Sequence, residues 1–141
     1  MTTTLADVRE ALANALAGIE GLRAYEYLTD QVNPLQAMID VEGPTQVTFS
    51  TAGAQEYTFT IIVAGQRASE RATQKAFDEL RDPFHARSVK RAIEDDTGLA
   101  ALPGMDYGQV GPAGRTEAAQ VGAIEYLTVE WPLTVVIHEG T

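Results

Sequence analysis

The chain contains no cysteine. That absence excludes disulfide frameworks, thiol nucleophiles and cysteine-ligated zinc or iron–sulfur sites, and it suits a reducing compartment. Histidine is nearly as scarce. His85 and His138 are the only two, and neither has a second histidine or a paired carboxylate at a spacing that would ligate a metal, so both read as surface residues. Bases are outnumbered, ten against twenty acids in 141 residues, for a formal net charge of −10. A charge of that sign favours solubility and opposes non-specific binding to nucleic acid. No apolar run reaches membrane-spanning length, and Met-Thr-Thr-Thr leads straight into an amphipathic segment, so neither a signal peptide nor a membrane span is expected.

Motifs of chemistry are missing too. Ser50, Ser69 and Ser88 lack the Gly-x-Ser-x-Gly setting of a hydrolase nucleophile. The glycine-rich segment Gly104, Gly108, Gly111 and Gly114 is followed by no Lys-Ser or Lys-Thr and opens no helix that would receive a phosphate. The run Glu94-Asp95-Asp96 lacks the alternating oxygen ligands of a calcium loop and reads as a solvated helix end, paired with Lys90 and Arg91. With no named nucleophile, base, metal or cofactor, the expectation is a protein without enzymatic activity.

What the chain does have is alternation. Tyr57, Phe59, Ile61 and Val63 form one apolar series, and Leu127, Val129, Trp131, Leu133, Val135 and Ile137 form a longer one. Successive strand side chains point to opposite faces, so each series makes one apolar wall, while Thr58, Thr60, Thr128, Glu130, Thr134 and His138 face away. Trp131 is in phase with the wall and belongs to the core. Pro132 lies on the polar side of the long strand; since proline cannot donate to a ladder, that strand is expected at an edge or bulged there.

Thr4 with Asp7 resembles a capping box ahead of Leu5, Val8, Leu12, Leu16 and Ile19, which predicts a helix over 5–19 bracketed by Gly18 and Gly21. Residues 22–28 read as a strand, as do 37–42, ended by Gly43-Pro44, then 46–50 and 56–64 joined by the loop 51–55. Ser69 and Ser88 are helix caps: one helix ends at Asp82-Pro83 and a shorter one at Thr97-Gly98. Residues 105–110 form a further strand. The stretch 111–122, rich in glycine and polar residues, reads as a flexible arm outside the core. The sum is a single α+β domain over 1–141: a mostly antiparallel sheet, an N-terminal helix and two further helices packed on one face, and a long C-terminal strand.

Two loops and one strand face are the candidate contact surfaces. They comprise Gly53, Gln55 and Glu56 at the hairpin, Arg115, Glu117 and Gln120 on the arm, and Tyr126, Thr128 and Glu130 on the outward side of the last strand. A long edge strand invites another chain to dock.

The block order points the same way. Leu5-Ala-Asp-Val-Arg-Glu-Ala-Leu12, Gly21-Leu-Arg-Ala-Tyr-Glu-Tyr27 and Asn33-Pro34 are followed by Tyr57-Thr-Phe-Thr-Ile-Ile-Val63 and Ala68-Ser-Glu-Arg-Ala-Thr-Gln74. Ser88-Val-Lys-Arg-Ala-Ile-Glu94 and Ile124-Glu-Tyr126 complete the series. Together these blocks resemble the tail terminators of long-tailed phages of actinobacteria over nearly the whole chain. The resemblance implies a virion protein, assembled in the host cytoplasm, that forms a ring, usually of six subunits. Such a ring caps the tail tube, stops its growth, meets a head-completion or connector protein and lets genomic DNA pass without specific binding. It implies no catalysis, and no residue motif carries over by position. Two alternatives remain at this stage: a head-closure protein, and a monomeric ligand-binding or enzymatic domain using the acids at 94–96 and the glycine-rich stretch.

Overall fold

The first helix starts where its cap says. In the computed structural model, which describes residues 3–29, 35–46, 55–66, 70–103, 105–121 and 124–137, the Asp7 backbone N–H donates to Thr4 Oγ1 at 3.1 Å, and the Thr4 N–H donates to Asp7 Oδ2 at 2.9 Å. This reciprocal pair satisfies two N–H groups that a helix start leaves without partners. Helix α1 runs Leu5–Ala17, closed by Gly18. The turn that follows places Gly21 at φ 79°, a left-handed conformation that a side chain would strain.

Strands β1 (Arg23–Tyr25), β2 (Gln36–Gln46) and β3 (Gln55–Gln66) follow, then helices α2 (Glu70–Arg81), α3 (Val89–Glu94) and α4 (Thr97–Ala100), then β4 (Met105–Val110), β5 (Glu117–Val121) and β6 (Ile124–Ile137). The strands form one sheet in the order β1-β2-β3-β6-β4, with β5 also on β6. Among the described residues β1 pairs with β2 in parallel and the other pairings are antiparallel. The α+β architecture is therefore as expected, with a long last strand.

The two apolar walls hold their phase. Phe59, Ile61, Val63, Val129, Trp131 and Leu133 are all buried, and they pack with Leu12 and Leu16 of α1, Phe77 and Leu80 of α2, Ile93 of α3 and Leu99 of α4. Burying each large side chain stabilises the fold by about 1.5–3 kcal/mol, so the helix-facing side of the sheet is where the structure is held.

Four local expectations are corrected. First, β6 is not an edge strand: it lies between β3 and the pair β4 and β5. Pro132 fits there because the Pro132 carbonyl accepts from Gly111 N at 2.7 Å, and in a strand a residue's nitrogen points to the same edge as its carbonyl. The missing N–H thus faces residues 111–116 rather than β3 and costs that ladder nothing. Opposite this point Val110 pairs with Leu133 and Glu117 with Thr128, so six residues, 111–116, span the four residues 129–132. The result is a wide bulge, pinned again where Gly114 N donates to the Glu130 carbonyl at 2.8 Å. A Cβ on Gly111 would sit 2.9 Å from Pro132 Cγ, which explains the glycine at that close approach.

Second, the arm 111–122 is not wholly outside the fold, because 117–121 is strand β5. Third, Gly43-Pro44 does not stop β2; the pairing shifts by one residue between Glu42/Thr58 and Thr45/Glu56, a bulge within a continuing strand. The expected strand at 46–50 contributes only Gln46 to β2 and otherwise lies outside the described residues, and the expected strand at 22–28 shrinks to Arg23–Tyr25. Fourth, the helix expected to run from Ser88 to Thr97-Gly98 is split. Ser88 caps α3, accepting from Arg91 N at 3.2 Å, and Asp96 Oδ2 accepts from Leu99 N at 2.7 Å to start α4. Among the described residues three helices, not two, follow the N-terminal one.

Candidate assembly surface

All four helices contribute to the core on one side of the sheet. The other side carries alternate residues of the same strands, and among the described residues no helix covers it. Cross-strand register orders it in rows: Asp40 opposite Thr60 and Thr60 opposite Pro132; Met38 opposite Ile62 and Ile62 opposite Glu130; Ala64 opposite Thr128 and Thr128 opposite Glu117. Asp40, Glu117, Glu130 and Pro132 are exposed, and Glu56, Thr58, Thr60, Ile62, Thr128 and Thr134 are half-buried. Strands β2 to β6 contain no lysine or arginine; the strand-borne base that shares the phase of this face is the exposed Arg23 of β1, opposite Gln36 at the far edge.

Five of the candidate contact residues share that face by register: Glu56, Glu117, Tyr126, Thr128 and Glu130. Tyr126 needs a correction. It has the expected orientation but is only 7% exposed, packed with Met38, Ala64 and the half-buried Ile62 in a small second cluster. At that end of the face Gln36 is fully buried and donates from Nε2 to Thr29 Oγ1 at 2.8 Å, so Thr29 reaches over the sheet there. Tyr126 therefore offers little surface, and the open part is centred on Thr60, Glu130 and Pro132. Gln55 and Gln120 have the opposite phase and point to the helix side, Arg115 is exposed in the wide bulge, and Gly53 lies outside the described residues.

Several arginines that periodicity did not single out hold this surface in place. Arg9 of α1 donates from Nη1 to the carbonyls of Glu26 at 2.6 Å and Ile39 at 2.8 Å, with its guanidinium 4.4 Å from the centre of the Tyr27 ring. Strand β1 pairs only with residues 36–38 of β2, so Arg9 supplies donors where the parallel ladder stops, and the aromatic face adds a cation–π contact. At the opposite edge Arg81, ending α2, donates from Nη2 to the Gly114 carbonyl at 3.1 Å and to Thr116 Oγ1 at 2.8 Å. The bulge is thereby tied to the helical layer. A single arginine on an amphipathic helix gives no local sign of such a role, because its acceptors are distant in sequence.

On the helical layer the charges are largely paired. Lys90 meets Glu94 at 2.7 Å and Arg91 meets Asp95 at 3.9 Å, the two i,i+4 pairs expected of the acidic run. Glu94 Oε2 also accepts from Val110 N at 3.0 Å, joining α3 to β4. His85 is half-buried in the turn before α3, where its Nδ1 accepts from Arg87 N at 3.0 Å; His138 is outside the described residues. No group of three His, Cys, Asp or Glu side chains among the described residues is placed to hold a metal ion, and no helix among them is long and apolar enough to cross a membrane.

Arg87 donates from Nη1 to Glu79 Oε1 at 2.9 Å. That hydrogen bond, backed by the charges of Arg87, His85 and Lys75 and opposed by desolvation, lowers the Glu79 carboxyl below its ordinary value. Since the folded value lies below the unfolded one, the contribution is complete above the ordinary carboxylate range and is lost as pH falls through the lowered value. We expect Glu79→Gln to reduce the urea midpoint at neutral pH, with the gap to wild type closing as the pH falls below the ordinary carboxylate range. A gap that stays constant across that range would contradict the assignment.

Comparison of the sequence with models of known protein families gives no match, and comparison with curated proteins gives none.

Proposed function

We propose that the chain is a tail terminator: a virion protein that assembles as a ring, six copies being the number that the resemblance implies, on the end of a phage tail tube. It stops growth of the tube by occupying that end and presents a surface to a head-completion protein. The observation that carries this reading is the open, acid-bearing face of the sheet, which among the described residues is backed by helices on the other side and not covered by one itself. Sheet faces bury themselves against a second layer, and a face left acidic and β-branched suits a partner surface supplied by another subunit. The block order along nearly the whole chain supports the same assignment.

Charge fits the role. Six copies at −10 each would give a ring of roughly −60, which repels a polyanion moving through the lumen and lets it slide without sticking. The mechanism makes and breaks no bond: it is occupation of a growing end by a shape that the next tube subunit cannot use.

The test is capping. Purified protein added to polymerising tail-tube subunits should hold tube length constant by electron microscopy and appear as an extra ring at one end. Unbounded tube growth with the protein present, or binding to the portal-side connector and not to tubes, would overturn the terminator assignment.

A further inference from the structure

We infer that the open face of the sheet is covered by the exposed flank of α2 from a second copy of this chain, with Arg71 and Lys75 of one copy meeting Glu117 and Glu130 of the next. The inference rests on the assembly reading above and specifies its subunit contact.

Arg71 and Lys75 are set apart from most bases of the helical layer. Arg81, Arg87, Lys90 and Arg91 are engaged with acids of their own chain, and Arg9 with backbone carbonyls. Arg71 and Lys75 are exposed, one helical turn apart, and make no hydrogen bond or ion pair among the described residues. With Ala72, Gln74 and the exposed Asp78 they line a broad, open concavity of about 970 Å³ along α2, in which the bases outnumber the acid. Like charges at i,i+4 are mutually unfavourable on a helix, a cost offset in part within the chain by Glu79, on which the Lys75 charge acts.

The open face offers the complementary arrangement. Glu117 is opposite Thr128, and Glu130 is two residues along the same strand from Thr128, so the two carboxylates are diagonal neighbours on one face and repel each other. Diagonal pairs on a sheet are separated by about 7–8 Å or somewhat less at Cβ, and i,i+4 pairs on a helix by about 5–6 Å. Long arginine, lysine and glutamate side chains span that small mismatch. The two bases of one copy and the two acids of the next thus match in sign and spacing. Thr58, Thr60, Ile62 and Thr134 form the β-branched bed beside them, and a helix laid there completes the layer that the subunit lacks.

Geometry also dictates the kind of assembly. The α2 flank is on the outside of the helical layer and the open face is on the far side of the sheet, so each copy presents two different surfaces. Such a contact is heterologous and extends head to tail, closing as a ring when the rotation permits.

Four chains test this: wild type, Arg71→Glu with Lys75→Glu, Glu117→Lys with Glu130→Lys, and all four reversals together. Because the sequence has no native cysteine, Lys75→Cys with Glu130→Cys gives an additional chain whose oxidation reports the contact directly. Each double reversal should weaken self-association, measured by sedimentation at high concentration, on the order of 100-fold, while the thermal midpoint stays near that of wild type. The quadruple variant, or a mixture of the two double variants, should recover association, and the cysteine chain should form a ladder of covalent oligomers. The inference is overturned by association that ignores both reversals, by loss that the quadruple variant does not restore, or by a wild-type chain that stays monomeric with no ladder. Tube capping separates the two claims. Capping retained in both double variants leaves the terminator reading standing and removes this contact, and association through these residues without capping does the reverse.

Discussion

Lysine placed at position 61 should remove most of the protein's stability, whereas lysine one residue along, at position 62, should leave a folded protein. Ile61 is fully buried on the helix side of the sheet, between Ile39 of β2 and Trp131 of β6 in the register. An ammonium there has no carboxylate partner in the core and loses its hydration, a combination that belongs among the rare substitutions costing more than about 4 kcal/mol. Against a total stability of about 5–15 kcal/mol for a domain, that is enough to unfold much of the population. Ile62 is half-buried on the open face, directly opposite Glu130. Its replacement sets a cation across from an anion, and the lysine stem still covers Met38 and Ala64, so the change stays within about 1 kcal/mol. Circular dichroism and urea titration of Ile61→Lys and Ile62→Lys decide the matter. Two variants of similar stability would overturn the assignment of faces to β3.

The second large effect concerns the seat of α2. A Cβ built on Gly65 would overlap Thr73 Cγ2 and meet Phe77 Cζ at 3.4 Å, so glycine is what lets α2 lie this close to β3. We expect Gly65→Ala to destabilise the protein by about 1–3 kcal/mol through overpacking. Thr73→Ser keeps the hydroxyl and removes the methyl group in the way. The double variant Gly65→Ala with Thr73→Ser should therefore recover most of the loss, with a coupling of at least about 1 kcal/mol in a double-mutant cycle. Strict additivity of the two single changes would show that the helix has another reason for its position.

These expectations draw on parts of the fold that differ in how visible they are from sequence. The faces of β3 and β6 were legible because a strand's side-chain period is two, and the apolar series from Tyr57 and from Leu127 hold that period without a break. The start of α1 was legible because Thr4 and Asp7 act on each other three residues apart. The position of β6 in the sheet was not. A proline in a strand argues for an edge, and only the distant bulge at 111–116, which turns away from the Pro132 nitrogen, makes a central place possible. Strand β5 was hidden because Glu117-Ala-Ala-Gln-Val121 has no apolar alternation of its own and owes its conformation to pairing with β6. In the same way Asp96 looked like one more solvated acid, while its carboxylate starts a new helix.

The candidate contacts divide along the same line. Register, a local property once β6 is in phase, put Thr128 and Glu130 on the open face, and pairing with β6 brought Glu117 beside them. The burial of Tyr126 depends on Met38, a residue 88 positions earlier in the chain, and has no local signal. Arg9 and Arg81 find their acceptors on other elements for the same reason.

The placement of β6 between β3 and the pair β4 and β5 bears on how the chain is made. Translation delivers β6 after every other element, so while the polypeptide is emerging from the ribosome, β3 has a bare hydrogen-bonding edge and β4 and β5 have nothing to join. Joining residues 55–66 to 126–137 closes a long loop late, which slows productive folding and leaves sticky intermediates in the meantime. A nascent chain of this kind gains from a chaperone that shields β3 until its central neighbour arrives.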